Sequence, residues 1–92
     1  MKFEVVKSRR FKKSLKKMLR RGKDINKLEA VVSMLARGEP LPAKYKDHAL
    51  SGDLDGLRDC HIENEWVLLY FYTSTGELVL TLTDTGTHSD LF

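Results

Sequence analysis

Three residues of this chain stand out for the chemistry they could do. His48, His61 and His88 are its only histidines, and all lie in the second half, each where a polar turn meets a strand-like segment. Imidazole titrates near neutral pH, so histidines beside a carboxylate can accept and donate protons where most side chains cannot. The separations of 13 and 27 residues match no compact zinc pattern, so acid–base chemistry without a metal or other cofactor is the expectation. The charge distribution suggests a substrate class. Residues 1–27 hold 12 Lys and Arg against 2 acids, and residues 28–92 hold 4 against 11, so the net charge of +3 divides into +10 and −7. A basic half joined to a histidine-bearing acidic half suits a polyanion whose cleavage moves protons, and RNA is one. Such cleavage requires a base for the 2′-hydroxyl, donors for the crowded phosphorane and an acid for the leaving 5′-oxygen.

The elements that must hold these residues can be read from periodicity. At 92 residues the chain is long enough for one domain and one core, covering 1–92. The single cysteine, Cys60, permits no internal disulfide and reads as a small buried thiol in a reducing compartment. The longest apolar stretch, Trp66 to Tyr72, is far too short to span a bilayer, and no apolar signal segment opens the chain, so the expectation is a cytoplasmic protein with no membrane contact. Lys2 to Lys7 reads as a first strand. Ser8 then caps a helix with apolar positions Phe11, Leu15, Met18 and Leu19, ended by Gly22, and Asp24 caps a second running to Gly38. The short link Gly22-Lys23-Asp24 predicts an antiparallel helical hairpin. Gly38 to Gly56 shows no sustained period and reads as a long loop containing His48. Leu57–Ile62, Trp66–Tyr72 and Glu77–Thr83 follow as an antiparallel three-stranded meander, with Trp66–Tyr72 apolar on both faces and therefore central. The fold class is α+β with a mainly antiparallel sheet.

The runs Tyr45-Lys46-Asp47-His48-Ala49-Leu50-Ser51-Gly52, Gly56-Leu57-Arg58-Asp59-Cys60-His61-Ile62-Glu63 and Trp66-Val67-Leu68-Leu69-Tyr70, with the tail Thr85-Gly86-Thr87-His88-Ser89-Asp90-Leu91-Phe92, resemble the YafQ branch of the RelE/ParE toxin superfamily. The resemblance covers nearly the whole chain. It implies a RelE-like microbial ribonuclease-type fold and a ribosome-dependent mRNA interferase, the toxin of a bacterial type II toxin–antitoxin pair. It further implies that His48, His61 and His88 are active-site histidines and that Phe92 is a functional aromatic able to stack on or orient a base. Where the family has an aspartate preceded by proline before the tryptophan, this chain has Asn64-Glu65-Trp66. Glu65 keeps a carboxylate there with one more methylene of reach. Trp66 is open to two readings, a motif residue or the core anchor of its strand.

The remaining candidates are basic. Lys44, Lys46 and Arg58 lie close in sequence to His48 and His61 and are expected to steady phosphates. Strict alternation would, however, set Arg58 on the face of Cys60 and Ile62 and His61 on the other. Lys12, Lys13, Lys16, Lys17, Arg20 and Arg21 put six cations within ten residues of the first helix, which suits attachment to ribosomal RNA. The expected partners are a cognate antitoxin, the ribosome and mRNA, with the toxin–antitoxin complex binding its own operator DNA. Two other functions fit parts of the pattern: a non-catalytic nucleic-acid-binding module, which would tolerate loss of His88, and a ParE-like toxin of topoisomerase, which would not require three histidines.

Overall fold

The computed structural model describes residues 2–92. Strand β1 spans Glu4–Lys7, helix α1 Arg9–Arg20 and helix α2 Ile25–Ala36. A two-residue strand β2, His48–Ala49, comes next, followed by β3 (Arg58–Glu63), β4 (Trp66–Thr73), β5 (Val79–Gly86) and a short helix α3 (His88–Leu91). Both predicted helix caps are present. Ser8 Oγ accepts from the Phe11 N–H at 3.0 Å and donates to the Thr83 carbonyl at 2.7 Å, joining the start of α1 to β5. Asp24 accepts from the Asn26 N–H at 2.9 Å. Between the helices Gly22 takes φ +91°, a left-handed conformation that allows α1 to stop and the chain to reverse.

The strands form one sheet in the order β1-β5-β4-β3-β2. The meander β3-β4-β5 is antiparallel as expected, with β4 central, but β1 pairs parallel with β5, so the sheet is mixed. β1 and β5 are not consecutive: the chain passes through both helices to β2 at the far edge, and the antiparallel run β2-β3-β4-β5 brings β5 back beside β1 in the same direction. The supposed loop between Gly38 and Gly56 also differs from expectation. It holds the 3-10 turns Ala43–Tyr45 and Gly52–Leu54 and, between them, β2, whose two residues are too few to leave a period in the sequence.

The helices cover one face of the sheet. Phe11 and Met18 of α1 and Leu28, Val31 and Leu35 of α2 pack with Cys60, Ile62, Trp66, Leu68, Tyr70, Leu80 and Leu82 in a single apolar cluster. Trp66 is fully buried in it, and its indole N–H donates to Thr85 Oγ1 at 2.8 Å, so its side chain anchors the core. The register slips at Thr83: Leu82 opposes Tyr70, but Asp84 opposes Leu69. This bulge reverses the alternation of β5, turning Thr85 toward the core and Asp84 away from it. Among the described residues no helix is long and apolar enough to cross a membrane.

Candidate functional site

The candidate site occupies the opposite face of the sheet. Residues directly opposed on neighbouring strands share a face, and the register sets His48 opposite Asp59, Asp59 opposite Leu69, and Leu69 opposite Asp84. His61 lies two residues beyond Asp59 on β3 and so projects from the same face, opposite Val67, which is itself opposite Gly86. Two residues after Gly86 comes His88. The His61 and His88 rings have centroids 5.1 Å apart, and Phe92 lies 5.5 Å beyond His88. His61 thus meets two residues of the C-terminal tail in a succession of rings, and His48 stands one strand over.

Asp59 is the residue that spacing alone passed over. It is 2% exposed, its Oδ1 has no hydrogen-bond partner, and that oxygen lies 3.7 Å from His61 Nε2. A buried carboxylate in this position can fix the orientation of an imidazole and stabilise the cation formed when the ring takes a proton. The signal was available in Asp59-Cys60-His61-Ile62, where period two puts the acid and the histidine together and the two apolar residues behind them. Glu65, by contrast, is exposed in the β3–β4 turn. Among the described residues no side-chain hydrogen bond or ion pair joins it to a histidine.

His48 is exposed, and its Nδ1 lies 2.7 Å from the Lys46 carbonyl oxygen. A carbonyl only accepts, so Nδ1 carries the proton in this contact and Nε2 keeps the lone pair, the tautomer a general base needs. Lys46 itself takes φ 50°, the left-handed turn that delivers the chain into β2. Arg58 is not among the histidines. It opposes Tyr70 on β3, on the helix-covered side, and its guanidinium donates to Asp47 at 3.1 and 3.4 Å. The Tyr70 hydroxyl donates to the same carboxylate. The expected phosphate contact is therefore replaced by a clamp on Asp47, the residue before His48, because strict strand alternation holds at Arg58. Burial, with Asp47 adding, pushes the Tyr70 phenol up, and the Asp47 hydrogen bond raises Arg58, so neither group ionises or neutralises near pH 7. Cys60, pushed up by burial, is likewise no nucleophile.

The tail that carries His88 is ordered by a capping box. Thr87 accepts from the Asp90 N–H at 3.2 Å, and Asp90 accepts from the Thr87 N–H at 3.0 Å. Arg21 donates to the same Asp90 oxygen at 2.8 Å. The Arg21 guanidinium, aided by the Thr87 backbone, holds the Asp90 carboxyl well below the usual carboxylate range. Arg21 thus ties the end of α1 to α3 and differs from Lys12, Lys13, Lys16, Lys17 and Arg20, which are exposed without such a tie. Lys44 and Lys46 are exposed beside the site, Lys44 with its Nζ 5.1 Å over the Tyr45 ring.

Asp59, His61 and His88 also offer three ligand atoms within 4.8 Å of one another, a set brought together by folding that the sequence separations did not suggest. With bonds near 2.1 Å, tetrahedral zinc ligands sit roughly 3.4 Å apart, so these side chains would have to draw in to hold an ion.

The model of a family described as the bacterial toxin of type II toxin–antitoxin system, YafQ, matches residues 3–92. The mRNA interferase toxin YafQ of Escherichia coli K12 is 42% identical over 86 residues, 92% of this chain and 90% of that protein. The fold superposes on the crystal structure of the E. coli DinJ-YafQ toxin–antitoxin complex with TM-score 0.85 at 39% identity, covering 100% of this chain and 99% of that one. A metal-bound toxin from Helicobacter pylori gives TM-score 0.89 at 39% identity over 98% and 99% of the two chains.

Proposed function

Given that the chain belongs to the YafQ family of bacterial type II toxins, we propose that it is an mRNA interferase in which His48, His61 and His88 divide the proton transfers of phosphodiester cleavage. The observation that supports this most directly is the line His61–His88–Phe92, with centroids 5.1 and 5.5 Å apart, beside buried Asp59 and one strand from His48. His48 Nε2, with its lone pair exposed, takes the 2′-hydroxyl proton. The oxygen attacks phosphorus and the P–O5′ bond breaks. His88, exposed at the start of α3, donates the proton that the 5′-oxygen acquires. His61, oriented by Asp59, supplies positive charge to the phosphorane oxygens, and Phe92 offers a ring on which a neighbouring base can stack.

The partner that the family supplies is a cognate antitoxin, as DinJ is for the E. coli toxin. The same proposal includes the ribosome and its mRNA as target. Lys12, Lys13, Lys16, Lys17 and Arg20, on the α1 face turned away from buried Phe11 and Met18, contact ribosomal RNA. Operator DNA is the proposed further ligand of the toxin–antitoxin complex. The test is induction of the gene with and without its antitoxin, followed by mapping of mRNA ends. New ends that appear only without antitoxin, and vanish with His88→Ala, are the expected result; growth arrest with intact mRNA would overturn it.

A further inference from the structure

We propose that the groove beside His61, between α2 and the outer edge of β3, is a subsite for one nucleotide next to the scissile phosphate, with Tyr45 as its stacking platform. The inference rests on the ribonuclease reading above and assigns the groove that reading leaves unused. β2 covers β3 only at Arg58 and Asp59, so beyond Asp59 the edge of β3 has no strand partner among the described residues. Asn26 and Lys27 of α2, Lys44 and Tyr45 of the 3-10 turn, and His61 and Asn64 of β3 and its turn enclose about 480 Å³ there. That lies within the roughly 300–1,000 Å³ of small-molecule sites.

Each wall supplies something a nucleotide uses. Tyr45 is half-buried and packs against the core, so its ring is held in place and a base can stack on it at little cost in ordering. Lys44 Nζ now rests 5.1 Å over that ring; its flexible side chain gives way to a stacking base and carries the ammonium to the adjoining phosphate. Lys23 and Lys27 both engage Glu63, at 2.8 and 2.6 Å, and Lys44 adds a further ammonium to the lining, so these three lysines outnumber the carboxylates of Glu63 and nearby Asp24. The Asn26 and Asn64 amides offer donors and acceptors to a base edge. His61 is the wall shared with the catalytic face, so a strand whose phosphate lies at His61 and His88 enters this groove with its adjoining residue. An acidic antitoxin peptide would answer the lysines but make no use of the ring and the two amides.

The probe is a hexamer of 2′-O-methyl oligoribonucleotide, which cannot be cleaved, titrated into the isotope-labelled full chain by NMR. Amides of Lys44, Tyr45 and Asn64 should shift on binding. Tyr45→Leu, which keeps apolar bulk, should weaken binding about tenfold or more, and Tyr45→Phe should retain it. Lys44→Ala and Asn64→Ala sit at exposed positions and carry the test if Tyr45→Leu does not fold; Lys44→Ala should reduce the salt slope by about 0.7. On programmed ribosomes the loss should fall on KM more than on kcat. Unchanged affinity in folded Tyr45→Leu and Lys44→Ala overturns the subsite, as does loss of antitoxin binding with RNA affinity intact. Loss of cleavage in His88→Ala reports on the ribonuclease reading alone, so the two can fail separately.

Discussion

The two faces of β3 and β4 are made by the same strands and obey different rules. Toward the helices, Cys60, Ile62, Trp66, Leu68 and Tyr70 form an apolar core in which nearly every side chain is buried. On the other face Asp59, His61, Val67 and Leu69 alternate with them, and the polar pair lies with His61 Nε2 3.7 Å from a buried carboxylate oxygen that has no hydrogen-bond partner. Alternation with period two lets one sequence serve stability and chemistry at once, with each residue committed to one of them. The faces communicate at one place: Asp47, clamped by Arg58 and Tyr70 from the core side, precedes His48 on the open side.

The comparison predicts a clean separation of phenotypes. His61→Ala should lower cleavage by roughly a hundred- to ten-thousand-fold while leaving the urea midpoint near that of the wild type; Trp66→Ala should cost about 3–5 kcal/mol of stability, with activity lost only as the protein unfolds. Urea denaturation and initial rates on programmed ribosomes, measured on both variants, check this, and loss of stability in His61→Ala would merge the two faces. A smaller effect separates the two carboxylates near the site. Asp59→Asn should reduce the rate on the order of a hundredfold, since an error near one ångström at a reacting centre has that cost, whereas Glu65→Gln should stay within about threefold, as expected of an exposed turn residue. The reverse ranking would return the catalytic carboxylate to Glu65.

The link between faces can be weakened directly. Arg58→Met keeps the aliphatic stem but releases Asp47, and the rate should fall about tenfold through displacement of His48, mostly in kcat, with a changed pH–rate profile. If only stability changes, the clamp is structural. The smallest effect concerns acid. The Asp90 carboxyl is held low in the folded state, so its contribution is present above the ordinary aspartate range near pH 4 and is lost as pH falls toward its depressed value. Below about pH 4, amide protection relative to the intrinsic exchange rate should fall at His88–Leu91 before it falls in β4; Arg21→Gln should abolish the difference.

Much of this was legible in the residues. The caps Ser8 and Asp24 and the apolar spacing of both helices are local signals, and they predicted α1 and α2 to within a residue or so. The apolar run Trp66 to Tyr72 identified the central strand. What escaped was long-range or too short to have a period. β2 consists of two residues defined by their pairing with Arg58 and Asp59, and the parallel partnership of β1 and β5 is set by the course of the whole chain, which no local pattern encodes. Thr85, Gly86 and the bulge at Thr83 extend β5 beyond the expected end at Thr83, because a slip in register breaks the alternation used to find it. The histidines were conspicuous as residue types, whereas Asp59 had only the period-two pattern Asp59-Cys60-His61-Ile62 to mark it, and the same alternation holds Arg58 on the core side.

The pairing of β1 with β5 has a consequence for how the molecule comes into being. Ser8 and Thr83, joined by a 2.7 Å hydrogen bond, are 75 residues apart, and Leu80 and Leu82 complete the core on which both helices rest. During synthesis at about 5–20 residues per second, the first strand and the helices must wait several seconds for the neighbour that closes the sheet. A chain interrupted before Val79 leaves β1 unpaired and the core face open, and it lacks His88 and Phe92 as well. Truncated products should therefore be substrates for proteases and carry no partial toxicity, so that the activity arises only when the last strand and the tail that follows it are in place.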